Sequence, residues 1–119
     1  MRDGRNRPEI AIVMVGIEMV AIDDYVTDVL IRDLVGHDRR PVAFLVYLWL
    51  AASQAKIGRA VQVSFQEMAE SIGISKSSAQ AAVRWLVRRK LLQASKANAT
   101  AIPSYKALTP WKDSAKRGR

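Results

Sequence analysis

The residues best placed to do chemistry lie between positions 75 and 96. Gln80 and Arg84 stand four residues apart, which on a helix puts them on one outward face, one turn apart. A carboxamide can pair with the edge of adenine and a guanidinium with that of guanine, so this spacing suits the reading of base edges. Ser75, Lys76, Ser77 and Ser78 precede them, where a helix would begin and where free amides and partial positive charge favour phosphate. Arg88 extends the same face by another turn, and Lys96 follows on a polar turn. These eight residues are the candidate contacts to a nucleic acid. Against each stands a plainer reading. Gln80, Arg84 and Lys96 can be solvated surface, and Arg88-Arg89-Lys90 also suits the last turn of a helix, where cations complement the dipole.

Other chemistry is poorly provided for. The chain has Cys 0 and His 1, which removes disulfides, thiolate zinc sites and cysteine nucleophiles together. His37 has Asp33 four residues before it and Asp38 beside it. Two carboxylates and an imidazole near a turn make a thin metal site, and a structural loop histidine is the expectation. No nucleophile–base pair and no phosphate-binding glycine loop occurs. The expectation is therefore no catalytic residue, no cofactor and no metal. Trp49, Trp85 and Trp111 are expected in the core or closing the domain, because no aromatic falls on the outward face of the Gln80–Arg84 helix.

The elements that must position these residues carry local signals. Ser64 and Glu67 form a capping box, in which the hydroxyl takes an orphan amide and the carboxylate reaches back. The helix they start has Phe65, Met68, Ala69 and Ile72 on one face. Gly73 ends it in a left-handed conformation, and Ser75 caps the next helix. In that helix Ala79, Ala82, Val83, Leu86 and Val87 share the inner face, and small Ala69 and Ala79 suit the crossing of the two backbones. Two helices on a tight glycine turn form a helix-turn-helix pattern. Residues 91–95 and 102–108 read as a hairpin around the polar turn 96–100, with 61–63 as a third strand.

Upstream, residues 10–15 are β-branched and read as a strand. Asp23 or Asp24 can cap a helix over 25–35, with Gly36 as its C-terminal cap. Asp38 can then cap a second helix with Pro41 in its first turn. That helix runs to about Lys56, is apolar nearly all round, and should be central and buried. The expected core is Leu45, Leu48, Leu50, Met68, Ile72, Val83 and Leu86.

The chain has 119 residues and a formal net charge of +8. One domain is expected, since a second core would need roughly 50 further residues. Residues 1–38 carry four arginines against eight carboxylates, whereas residues 39–119 carry fifteen basic residues against three carboxylates. A basic C-terminal two-thirds points to an anionic partner. Residues 10–22 are apolar but short and interrupted by Glu18, so neither a membrane span nor a signal peptide is expected, and the cytoplasm is the expected compartment. Met14 and Met19 are alternative starts. The chain thus divides into an N-terminal extension over 1–40, a domain over 41–111 and a basic tail over 112–119. The apolar, acidic extension is the expected homodimerisation element.

The order helix, strand, helix, glycine turn, helix, hairpin over 41–111 resembles the bacterial winged helix-turn-helix DNA-binding domains. Arg32-Asp33-Leu34-Val35-Gly36-His37-Asp38-Arg39-Arg40-Pro41, running on into Ala43-Phe44-Leu45-Val46-Tyr47-Leu48, resembles a group of small bacterial proteins of this type. The resemblance implies an α+β, mostly helical fold, with a three-helix core, a small antiparallel hairpin as the wing and an added N-terminal helix. It implies double-stranded DNA as partner, and transcriptional regulation is the expected role. A winged domain used for protein interaction in replication or partition machinery is the alternative. The outward helix face departs from a rich base-reading set: Ser77, Ser78, Gln80 and Ala81 lie beside only two charges, Lys76 and Arg84.

Overall fold

A computed structural model describes residues 19–112. The strand expected over 10–15 and the basic tail beyond Lys112 lie outside these residues.

The first helix begins where Asp23 accepts the Tyr25 amide on Oδ1 at 2.9 Å, an N-terminal cap of the expected kind. It then departs from the α-helix expected over 25–35. Val26–Leu30 and Arg32–His37 are π-helical, with i→i+5 bonds such as Asp38 N–H to Asp33 O at 2.8 Å. Runs of this bonding are rare, usually single turns within α-helices. Val26, Leu30 and Leu34, four apart, are its buried residues.

Gly36 does not terminate this helix. The chain passes through it, and the left-handed residue is Arg39, at φ 57°. The wider turn still ties Asp38 N–H to Asp33 O and Arg40 N–H to Leu34 O, so the reversal comes three residues later than expected. An arginine there carries strain on the order of 1–3 kcal/mol. Asp38 does not cap the second helix either. That place falls to Arg40, whose side chain makes no capping bond, because the Asp38 carboxylate is engaged elsewhere.

The second helix, α1, spans Pro41–Ile57, with proline at its first position. It is the central element, in contact with the N-terminal helix, both later helices and two strands. Ala43, Phe44, Val46, Tyr47 and Leu50 are buried, but Leu45, expected in the core, is 44% exposed. Leu48 is half-buried. A helix apolar nearly all round offers no periodicity from which to choose its solvent side, so packing decides. Two long-range contacts fasten α1 to the sheet. The Tyr47 hydroxyl donates to Leu108 O at 2.8 Å. The Gln54 carboxamide accepts from Ala107 N–H at 2.7 Å and donates to Ala107 O at 3.3 Å. Burial pushes the Tyr47 phenol up to about 12, and the Asp23 carboxylate acts in the same direction.

Strand β1 (Val61–Gln62) precedes α2 (Phe65–Ile72) and α3 (Lys76–Arg88). The hydroxyl caps and the glycine turn form here as expected, but among the described residues no bond returns from the Glu67 carboxylate to the Ser64 amide. Ser64 Oγ accepts the Glu67 amide, Gly73 is left-handed at φ 89°, and Ser75 Oγ accepts the Ser78 amide. Met68, Ala69, Ala79, Ala82, Val83 and Leu86 are buried, and Ile72 is half-buried. Val87 is a correction: it is 42% exposed, because α3 packs through Ala79, Ala82, Val83 and Leu86 and Val87 falls beside that stripe, on the side of the hairpin.

Strands β2 (Leu92–Ser95) and β3 (Ser104–Ala107) complete a three-stranded antiparallel sheet in the order β1-β3-β2. Leu92 lies opposite Ala107, and Ser95 opposite Ser104. Beyond β3, Trp111 returns to the N-terminal helix. Its ring stacks on Tyr25 at 4.4 Å between centroids, and its indole N–H donates to Asp23 Oδ2 at 3.3 Å. Lys112 Nζ lies 3.4 Å from the same oxygen. The fold is α+β and mostly helical. No helix among the described residues is long and apolar enough to cross a membrane.

Candidate functional site

The geometry of α3 follows from what it buries. With Ala79, Ala82, Val83 and Leu86 against the core, Lys76, Gln80, Arg84 and Arg88 run at four-residue intervals along a flank that faces the β2–β3 hairpin. Between them lies an open groove of about 1060 Å³. The start of α2 closes one end through Ser64, Phe65 and Gln66, and the hairpin supplies Lys96 and the residues around Ile102. The hairpin turn is ordered by its own polar groups. The Lys96 ammonium donates to Ala99 O at 3.3 Å, and Asn98 Oδ1 accepts the Thr100 amide at 3.1 Å. Among the described residues the groove lining contains no carboxylate. Among the described residues, none of Lys76, Arg84, Arg88 and Lys96 forms an ion pair. The result is a concave, uniformly cationic surface, which concentrates anions.

The eight candidate residues do not all meet there. Lys76, Gln80, Arg84, Arg88 and Lys96 are brought together. Ser75 Oγ is occupied by the Ser78 amide and hydroxyl, at 3.0 and 2.8 Å, so it serves the fold of α3. Ser77 is exposed, with its hydroxyl 3.2 Å from that of Ser75. Ser78 and Ala81 line a separate recess of about 230 Å³ on the opposite flank of α3, against Arg39, Arg40 and Pro41.

That opposite flank holds what a reading of the sequence missed. The Arg40 guanidinium lies 4.1 Å above the Trp85 ring, a cation–π contact, and Arg88 approaches the same ring at 5.6 Å. Trp85 is thus a platform for cations at the edge of the core. Its indole N–H donates to Asp38 Oδ2 at 3.0 Å, and Arg89 donates to the same oxygen at 2.7 Å. The Asp38 side chain is only 4% exposed. Burial alone would raise its pKa, but hydrogen bonds from His37 and Trp85 and the charge of Arg89 outweigh it and hold the carboxyl below the ordinary aspartate value. His37 Nδ1 lies 3.1 Å from Asp38 Oδ1 while its ring is open to solvent. No group of three potential metal ligands occurs among the described residues. The Arg39-Arg40-Pro41 run was visible as charge. Nothing local connected it to a helix 45 residues later. No family model matches the chain, and no curated protein or solved structure shows significant similarity to it.

Proposed function

We propose that the protein is a winged helix-turn-helix binder of double-stranded DNA, a bacterial transcriptional regulator acting in the cytoplasm. In this reading α2 and α3 form the helix-turn-helix and the β2–β3 hairpin is the wing. The observation that carries it is the alignment of Lys76, Gln80, Arg84 and Arg88 on one flank of α3, facing Lys96 across a groove that has no carboxylate among the described residues. Gln80 and Arg84 are the base readers. Lys76, Arg88 and Lys96 hold phosphates, and Arg39 and Arg40 extend that contact on the other flank of α3. Ser75 acts by shaping the helix N-terminus, with Ser77 and Ser78 beside it. No catalytic step is assigned.

Backbone contacts of this kind release counterions, so affinity must fall with salt. Lys76, Arg88, Lys96, Arg39 and Arg40 are five cations, and five phosphate contacts give a slope of about −4.5 in log K against log salt. Titration of a duplex at a series of salt concentrations measures it. Absence of binding at low salt would refute the reading and favour a winged domain used in protein assembly. Selection from random duplexes then reports whether Gln80 and Arg84 read sequence.

The chain pairs with a second copy through its N-terminal part. Ile31 and Val35, four residues apart on the N-terminal helix, are exposed, and an isologous contact would cover both. Light scattering at tens of micromolar checks this, and a monomer there counts against it.

A further inference from the structure

The groove beside α3 contains more than a phosphate needs. Its floor is apolar. The Phe65 and Tyr105 rings lie 6.3 Å apart, and Val87 and Ile102 remain 42% and 50% exposed. Duplex DNA satisfies cations at the rim through its backbone, but a phosphate chain does nothing for exposed aliphatic groups. An occupant that covers the floor and also neutralises the rim must be apolar on one stripe and anionic beside it.

We propose that this groove docks an acidic amphipathic helix of a protein partner. Charge complementarity and shape both favour this occupant. Among the described residues, every ionisable side chain on the rim is a cation and none is a carboxylate. The trough between helix and hairpin is open along its length, so a small ligand would keep much of its surface in water, whereas pocket ligands bury most of theirs. A helix uses such a trough by laying down residues i, i+3, i+4 and i+7 while its flanks stay solvated. Leu or Ile on that stripe would sit on Val87 and Ile102. Glu or Asp on the flanks would meet Arg84 and Lys96. The inference stands apart from the DNA reading, but where both hold the two occupants compete for the same cations. The partner would then displace the duplex without any change of fold.

The test uses the full chain and a fluorescein-labelled synthetic peptide of about five helical turns, with leucines on one stripe and glutamates beside it. Anisotropy should show saturable binding that weakens with salt. The Val87→Ser, Ile102→Ser double variant should weaken it by about tenfold or more. Both positions are exposed, so an unchanged melting temperature shows the variant to be folded. A peptide with lysines in place of the glutamates should not bind. Three outcomes would overturn the proposal: no binding by the parent chain at low salt, binding unaffected by the double variant, or binding that appears only after Ile12→Asp and Val15→Asp. The last would mean that the chain's own N-terminal segment fills the groove. Duplex affinity, measured on the same samples, reports separately on the DNA reading, and its failure would leave the peptide result intact.

Discussion

Both flanks of α3 carry cations and use them differently. On the α1 side, the Asp38 carboxylate holds Arg89 at 2.7 Å and the Trp85 indole N–H at 3.0 Å. On the hairpin side, Lys76, Gln80, Arg84 and Lys96 line an open groove without a carboxylate among the described residues. A cation whose charge is already matched contributes to the fold. One left unmatched on a concave surface is available to a ligand. Sequence shows only a basic helix, and the difference lies in what each side chain meets across the molecule.

Substitutions can separate the two flanks. The largest effect belongs to what they share. Leu86 is fully buried beneath α3, and Leu86→Asp places an unpaired charge there, costing about 4 kcal/mol or more. Both flanks should be lost together, seen as a collapse of the thermal transition. A variant that melts like the parent would mean that α3 does not pack as described.

Asp38→Asn touches the fixed flank alone. It weakens the bonds to Trp85 and Arg89 and should lower stability by about 1–3 kcal/mol, with duplex binding little changed at temperatures where the protein is folded. The pH dependence has a definite sign. A carboxylate whose folded pKa lies below its ordinary value stabilises fully above that value and loses the effect as pH falls through the folded pKa. Denaturation curves of parent and variant should therefore converge in acid, below the ordinary aspartate value of 3.8. A gap that persists there would show that packing, and not charge, holds this flank.

Gln80→Ala and Arg84→Ala address the open flank. Each should cost about 1–3 kcal/mol on a selected duplex and relax preference at one or two base pairs. Stability should stay within about 0.5 kcal/mol of the parent, as for surface positions generally. Equal loss on selected and scrambled duplexes would remove the base-reading role. The smallest effect is expected of Lys96→Ala, which should weaken all duplexes alike and flatten the salt slope by about one contact.

Much of this arrangement was legible where the signal is local. Ser64, Gly73 and Ser75 mark the ends of α2 and α3 through bonds to residues a few positions away, so their roles follow from spacing. The hairpin was legible for the same reason, from a polar turn between apolar runs. Asp38 was not. Its type and position suited a helix cap, but its partners lie 47 and 51 residues further on. Leu45 and Val87 failed differently, since both fit an apolar stripe and only the packed arrangement shows which member of the stripe stays outside. Of the candidate site, Lys76, Gln80, Arg84, Arg88 and Lys96 converge. Ser78 faces the other way, because one helix surface is divided between two recesses.

The N-terminal helix is anchored at each end by the same trio of groups: an aspartate, an indole N–H and a cation. Asp23 meets Trp111 and Lys112 at its start, and Asp38 meets Trp85 and Arg89 at its end. A segment tied at one end opens by fraying, whereas one tied at both ends tends to open with the body that holds it. The amides of Val26–Leu30 and Arg32–His37 should therefore exchange with deuterium on the slow timescale of α3, as part of one cooperative unit, although they belong to the acidic stretch that sequence sets apart from the rest of the chain.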